Sequence, residues 1–113
     1  PSRKSIYFIW KDPLMAAGKD TFISQLMILS GFNNIITEDR YPVINASQIT
    51  EQPEYILLSS EPFPFSQKHI PEIQSLFPSA KVILVDGEYF SWYGSRLLKA
   101  PDYLMSLLHD LNG

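Results

Sequence analysis

Three continuous apolar runs recur along the chain and predict buried strands. They occupy residues 5–10, 55–59 and 82–85, and each has the length and the β-branched or aromatic composition of a strand. Because polar residues do not alternate with apolar ones in these runs, both faces of each strand are expected to be covered. A shorter strand is predicted at residues 33–36.

Apolar positions at helical spacing occupy the stretches between the strands. The first predicted helix begins near Asp20, carries an apolar stripe to Leu29 and ends at Gly31. Asn45 is placed to cap a short second helix, and Ser66 to cap a third. The apolar positions of the third and last predicted helices are Ile70, Ile73 and Phe77, and Leu104, Leu107, Leu108 and Leu111.

The order of these elements predicts an α/β fold. Strands that alternate with helices over short connections form βαβ units, whose strands are parallel and whose crossovers are right-handed. We therefore expect a single three-layer α/β/α lobe with a mainly parallel, Rossmann-like sheet of about four strands. A length of 113 residues suits one domain, and the chain has no internal repeat.

Composition narrows the classes of function. With 45% hydrophobic and 13% aromatic residues the chain is expected to fold, and a formal charge of −3 leaves no basic patch for nucleic acid. The absence of cysteine excludes disulfides, thiolate catalysis and cysteine-based metal centres. His69 and His109 lack metal-ligand spacing, so we predict no metal site and place both on helix surfaces. No apolar run is long enough to cross a bilayer.

Candidate chemistry lies where the predicted strands end. Trp10 ends the first apolar run and Lys11 follows it, Glu61 and Phe63 follow the second run, and Glu88 follows the third. Because the carboxyl ends of parallel strands meet at one edge of a sheet, we expect these side chains to lie close together. Aromatic surface with a few charged groups suits a large, partly apolar ligand that carries several polar groups.

The segment after the last strand is the strongest local signal. Glu88 is followed within five positions by four aromatic residues, Tyr89, Phe90, Trp92 and Tyr93. Side chains so close in sequence point in different directions, and they cannot all fill one core. We interpret the segment as part of a ligand-binding surface at the carboxyl end of the sheet.

Other interpretations of these residues stay open. Trp10 and Phe63 are also suited to closing the core at the sheet edge, and Lys11 to contact with solvent. Glu61 and Glu88 could stabilise helix N-termini, or form the acid/base pair of a small hydrolase. A stand-alone interaction domain, whose aromatic edge meets another protein, is a further alternative. No sequence pattern positions a nucleophile, which favours binding over catalysis.

Four segments together resemble the carboxyl-terminal lobe of periplasmic binding proteins that feed ABC importers of vitamin B12 and ferric siderophores. They are IWKDPLMAAGKDTFISQLMILSGFNNI, RYPVINASQI, PEYILLSSEPFPF and VILVDGEYFSWYGSRLL. Their order and spacing cover nearly all of the chain, and the cobalamin-binding branch is the most similar. The combination, rather than any single motif, carries the resemblance.

The resemblance implies a binding function without catalysis and without a cofactor. In this family two α/β lobes are joined by a rigid helix and hold the ligand in the cleft between them. Residues 1–113 would be the carboxyl-terminal lobe, which works with an amino-terminal lobe of the same protein. Its ligand would be a corrinoid, such as cobalamin, or a ferric-siderophore-type metal chelate, delivered to the transmembrane subunits of an ABC permease. The implied location is periplasmic or otherwise extracytoplasmic, which includes membrane-anchored lipoproteins.

The resemblance also assigns residues to two surfaces. The family places an acidic residue for permease docking at the start of the helix after the Tyr41-Pro42 segment, where this chain has Ser47, with Glu51 a turn later. That departure leaves Ser47 and Glu51 as the docking candidates. The ligand-binding candidates are Trp10, Lys11, Met15, Tyr41, Glu61, Phe63, Glu88, Phe90 and Trp92.

Overall fold

The structure, a computed structural model of the protein, describes residues 3–88. The aromatic residues Tyr89, Phe90, Trp92 and Tyr93, His109 and the last predicted helix lie outside the described residues. The strands are β1 (Arg3–Trp10), β2 (Met15–Ala16), β3 (Phe32–Asn34), β4 (Tyr55–Ser59) and β5 (Lys81–Val85). The helices are α1 (Phe22–Leu29) and α2 (Ile70–Leu76), with short 3-10 helices at Ala46–Gln48 and Gln67–His69.

Strand β1 lies inside a five-stranded, mostly parallel sheet of order β2-β1-β4-β5. Strand β4 pairs in parallel with one edge of β1, and β5 pairs in parallel with β4. The other edge of β1 is shared by two short strands. Strand β3 pairs in parallel with its first residues, and β2 pairs antiparallel with Phe8 and Trp10. The predicted α/β class is confirmed, with β2 as an additional strand in a stretch expected to be a loop.

Helices α1 and α2 cover opposite faces of this sheet, because alternate strand residues point to opposite sides. On the α1 face the core includes Tyr7, Ile9, Leu26, Met27 and Leu57. On the α2 face it includes Ile6, Phe8, Ile56, Leu58, Ile73 and Phe77. Residues 5–9 of β1 are all buried, as the continuous apolar run predicts. The lobe therefore has three layers.

Helix α1 begins two residues after the predicted start near Asp20, because Thr21 supplies the cap. The Thr21 hydroxyl accepts a hydrogen bond from the Ser24 amide at 3.1 Å and donates one to the Gly18 carbonyl at 2.9 Å. At the other end, Gly31 has a φ of 90°, which side-chain-bearing residues rarely adopt. Gly31 thus ends the helix, as predicted.

Strand β3 begins and ends earlier than the predicted strand at residues 33–36. The Asn34 carboxamide oxygen accepts the amide hydrogen of Ile36 at 3.1 Å, which takes this amide away from the sheet. The Asn34 amide group donates to the Ala17 carbonyl at 3.0 Å and to the Ser24 hydroxyl at 3.2 Å. Asn34 therefore ends the strand and ties it to α1.

The irregular segment after β3 runs beside β2 and extends that edge of the sheet. The Ala16 amide donates to the Pro42 carbonyl at 3.1 Å, and the Gly18 amide to the Arg40 carbonyl at 2.6 Å. A Cβ at Gly18 would overlap the Glu38 carbonyl oxygen, so the close approach of the two backbones requires glycine. This packing places Tyr41 next to β2.

Candidate functional site

The loops after β1, β4 and β5 meet at one edge of the sheet, as their parallel order requires. We call residues 10–12, 59–63 and 86–88 the carboxyl edge. The Phe63 amide donates to the Ile9 carbonyl at 3.2 Å, which joins the β4 loop to the end of β1. The Ser60 amide donates to the Val85 carbonyl at 3.1 Å, and the Gly87 amide to the Ser60 hydroxyl at 2.9 Å. The backbone thus connects all three loops.

Trp10 presents an aromatic surface to solvent and is supported from behind. It is 38% exposed, and its ring meets that of Phe63 edge-on, with ring centres 5.4 Å apart. The ring of Phe63 packs in turn against the buried Phe65 and against His69, with ring centres 4.7 Å and 5.3 Å apart. Trp10, Phe63, Phe65 and His69 form what we call the aromatic cluster. Both interpretations of Trp10 are met in part, because its ring packs on Phe63 at the margin of the core and its other side stays exposed to solvent.

His69 was expected on a helix surface, and the structure places it on a helix but with its ring partly covered. The residue ends a 3-10 helix, half-buried, with its ring against Phe63 and Phe65. Its Nδ1 accepts a hydrogen bond from the Ser66 amide at 3.0 Å. The spacing of Ser66 and His69, three residues apart, is the sequence signal that could have revealed this contact.

Lys11 is held in ion pairs and is not a free cation at the carboxyl edge. Its ammonium lies 3.0 Å from an Asp12 carboxylate oxygen and 3.2 Å from one of Glu72, and the side chain is only 14% exposed. Hydrogen bonds to Asp12 and then to Glu72 raise the pKa of Lys11. The expectation of a solvated side chain is therefore wrong, and Lys11 ties the end of β1 to α2.

A buried network underlies the β4 loop. The Tyr7 hydroxyl donates to the Ser59 hydroxyl at 3.1 Å, and Ser59 donates to the Glu61 carbonyl at 2.6 Å. Burial raises the pKa of Tyr7, and the nearby groups of Asp86, Glu61 and Tyr41 act in the same direction. The network therefore joins the start of the β4 loop to the centre of β1.

Glu88 follows Gly87, which packs closely against the β4 loop. Its amide donates to the Asp86 carboxylate at 2.9 Å, which fixes the turn after β5, and its side chain is exposed. A Cβ on Gly87 would overlap the Ser59 hydroxyl oxygen and lie 2.9 Å from Glu61 Cγ. The glycine thus seats the β5 loop directly on the β4 loop, with Glu61 and Glu88 on neighbouring loops.

Met15 and Tyr41 flank the carboxyl edge on the β2 side. Met15 pairs with Trp10 in the β1–β2 register and is half-buried. Tyr41 is 43% exposed and belongs to the segment that runs beside β2. Together with Trp10, these residues give this flank a mainly apolar and aromatic character.

Glu51, one of the two predicted docking residues, lies away from the carboxyl edge. The Glu51 carboxylate pairs with Lys4 at 3.3 Å, and Lys4 is at the opposite end of β1 from Trp10, about 20 Å away at the rise of a strand. The Ser47 hydroxyl donates to Asn45 at 2.7 Å. A cavity of about 280 Å³, lined by residues 35–38, 44 and 48–51, lies beside them.

Within residues 3–88, no group of three or more acidic or histidine side chains could hold a metal ion. No helix among these residues is both long and apolar enough to cross a membrane. Of the predicted ligand contacts, Phe90 and Trp92 lie outside the described residues. The structure places Trp10, Lys11, Glu61, Phe63 and Glu88 on the carboxyl edge, and Met15 and Tyr41 on its β2 flank.

The carboxyl edge offers solvent an aromatic surface beside exposed carboxylates. A planar or apolar ligand group would bury area against Trp10 and Tyr41, while Glu61 and Glu88 would accept hydrogen bonds from its polar groups. General-acid catalysis by a carboxyl group needs an environment that favours its neutral form. Both glutamates are exposed to solvent, and binding is the chemistry that this arrangement supports better.

Comparison with known proteins supports the fold. No family model matches the sequence, and no curated protein matches it. The chain is similar to the crystal structure of the periplasmic vitamin B12 binding protein BtuF of Vibrio cholerae, with a TM-score of 0.65 and 19% sequence identity. The similarity covers 98% of this chain and 46% of that one, so the chain spans about half the length of that structure. At this identity, the likeness establishes a shared fold.

Proposed function

We propose that this chain is the carboxyl-terminal lobe of a two-lobe solute-binding protein for a metal chelate. The ligand is a corrinoid such as cobalamin, or a ferric siderophore, held in the cleft between the lobes and passed to an ABC permease outside the cytoplasm. The observation that carries the proposal is the partly exposed Trp10, supported by Phe63 and flanked by the exposed Glu61 and Glu88.

Rigidity of the aromatic surface supports a binding role. Trp10 ends a strand that is buried on both faces, and Phe63 is fixed by Phe65 and His69. A side chain ordered before the ligand arrives loses less entropy on binding. An aromatic surface held in this way is suited to the flat ring system of a large chelate.

The share of the BtuF structure that the chain covers also supports the proposal. That structure is of a vitamin B12 binding protein, and this chain spans 46% of it. A second lobe of similar size would close over the carboxyl edge and provide the remaining ligand contacts. Permease docking through Glu51 would then occur at the far end of the sheet and leave this cleft uncovered.

A hydrolase that uses Glu61 and Glu88 is less well supported. The two carboxylates are exposed, and neither lies in the apolar surroundings that a general acid requires. The proposed role predicts that Glu88→Gln weakens only the affinity for the ligand. An enzyme would instead lose turnover while its affinity for substrate stayed largely unchanged. An interaction domain that binds another protein at its aromatic edge would respond to neither chelate.

Calorimetric titration of cyanocobalamin and of a ferric hydroxamate siderophore into the complete protein tests the proposal. We expect one of the two to bind, and Trp10→Ala to weaken that binding at least about tenfold, equivalent to about 1.4 kcal/mol. Leu76→Ala is the matched control, because Leu76 is 41% exposed and lies at the end of α2 away from the carboxyl edge.

The charged groups need their own control. Glu54 and Glu61 are exposed glutamates on either side of β4, at the amino and carboxyl ends of the strand. Glu61→Gln should weaken binding, and Glu54→Gln should leave it unchanged. Equal affinity in Trp10→Ala and wild type, or the absence of binding of both chelates, would overturn the proposal.

A further inference from the structure

We infer that Ser59 and Gly87 are positioning residues, which together with the buried Tyr7 fix the Glu61 loop relative to Glu88. None of the three needs to touch a ligand. They act through the placement of the two carboxylates, and so set which spacing of hydrogen-bond donors a ligand must present. The ligand part of this inference rests on the proposed binding function, whereas the positioning part stands on geometry alone.

The Ser59 hydroxyl has no freedom to rotate. A serine hydroxyl donates one hydrogen bond and accepts two. Here it donates to the Glu61 carbonyl at 2.6 Å, and accepts from the Tyr7 hydroxyl at 3.1 Å and from the Glu61 amide at 3.3 Å. All three positions are taken in a residue that is 1% exposed. Ser59 therefore closes the backbone around Glu61.

Gly87 allows the loop after β5 to pack directly against the loop after β4. A Cβ at this position would overlap the Ser59 hydroxyl oxygen and approach the Glu61 amide nitrogen to 3.0 Å. The Gly87 amide also donates to the Ser60 hydroxyl at 2.9 Å. Because Glu88 is the next residue, any movement of Gly87 away from Ser59 changes the spacing of Glu61 and Glu88.

Tyr7 anchors the same contact to the centre of the sheet. Its ring is fully buried on the α1 face of the sheet, and its backbone belongs to β1, which pairs with β4. The Tyr7 hydroxyl is therefore held in one place as a hydrogen-bond donor. The network thus joins β1, β4 and the turn after β5 through the Tyr7, Ser59 and Ser60 side chains and the backbone of Gly87. The backbone segments that carry Glu61 and Glu88 are therefore fixed relative to each other. The ligand class that fits carries N–H or O–H donors for both carboxylates.

A double-mutant cycle with cyanocobalamin as the probe tests the positioning role in the complete protein. Gly87→Ala and Glu61→Gln should each weaken binding several-fold, and the double variant should be no weaker than the weaker single variant. Such non-additivity is expected only if Gly87 acts through Glu61. Additive losses would overturn the inference, because Gly87 would then contribute to binding independently of Glu61.

Gly31→Ala controls for lost stability. Gly31 has a φ of +90° and no atom within 4 Å of an added Cβ, so the substitution strains the backbone far from the carboxyl edge without displacing a neighbour. We expect Gly31→Ala to lower stability and to leave cyanocobalamin affinity unchanged. If it weakened binding as much as Gly87→Ala, general destabilisation would explain both effects, and the inference would fail.

Amide hydrogen exchange without ligand separates this inference from the proposed function. Ser59→Ala removes the acceptor of the Glu61 amide, so exchange at Glu61 should rise at least about tenfold while exchange at Leu57, inside β4, stays unchanged. Unchanged exchange at Glu61 would overturn the positioning role whatever the ligand. Faster exchange in a protein that binds no chelate would support the positioning role and count against the proposed function.

Discussion

Tyr7 combines a structural and an electrostatic role in one side chain. Its phenol is buried and hydrogen-bonded to Ser59, and burial raises its pKa above the ordinary value of 10.0. The folded protein therefore keeps this proton at pH values where the unfolded chain releases it. Since the folded state then binds more protons, stability is full below pH 10 and falls as the pH rises further.

We predict that wild type loses about 1.4 kcal/mol more stability between pH 8 and 11 than Tyr7→Phe does. Urea unfolding of both proteins across this range measures the difference. The pKa of Lys11 is raised as well, and its contribution is present in both proteins and cancels. Parallel stability curves for the two proteins would show that Tyr7 ionises equally in the folded and unfolded states.

The candidate site was predictable only in part at this scale. Trp10, Glu61 and Glu88 were predicted because each lies at or just after the end of a strand. Continuous apolar runs in the sequence predict those strands. Ser59 gave no signal, since its role depends on Tyr7, 52 residues earlier, and on Gly87. Contacts of this kind arise from strand register and loop packing. A single sequence records neither.

At the scale of elements, α1 depends on its cap. No acidic residue lies in its first turn and no basic residue in its last, so charges do not support either end. Thr21 provides the N-terminal hydrogen bond to Ser24 and a second bond to Gly18. The helix packs its buried Leu26 and Met27 on one face of the sheet, so a weaker N-terminal cap is expected to lower the stability of the fold.

Thr21→Ala is expected to lower the free energy of unfolding by about 1–2 kcal/mol. Thr21→Ser keeps the hydroxyl and should recover most of the loss. Thr37→Ala, at an exposed threonine outside the helices, serves as the control and should change stability by less than about 0.5 kcal/mol. Thermal or urea unfolding measures all three, and equal effects of Thr21→Ala and Thr21→Ser would contradict the capping role.

The long elements and the short helix capped by Asn45 followed from the sequence, whereas the two-residue strand β2 did not. Strands inside a covered sheet appear in the sequence as continuous apolar runs. For this reason β1, β4 and β5 were predicted close to their observed bounds. Strand β2 has two residues, and the backbone amides of residues 16, 18 and 19 donate to carbonyls of residues 42, 40 and 38. Backbone pairing of this kind is independent of side-chain pattern, so no periodicity reveals it.

At the scale of the whole molecule, the carboxyl edge is one wall of the proposed cleft. The chain alone should bind cyanocobalamin at least about a hundredfold more weakly than the complete protein, because a second lobe would bury the other side of the ligand. Calorimetry on the 113-residue chain and on the complete protein measures the ratio. Equal affinity would mean that this lobe suffices, contrary to the two-lobe proposal.

The position of the Glu51–Lys4 pair at the far end of β1 has a consequence for cargo transfer. Trp10 and Lys4 belong to one strand, and they face the two opposite ends of the sheet, about 20 Å apart. A partner that grips the lobe at Glu51 would leave the mouth of the cleft unobstructed. Under the proposed function, a ligand could then bind and leave while the protein stays attached to its partner, so the lifetime of the attachment would be independent of the residence time of the ligand.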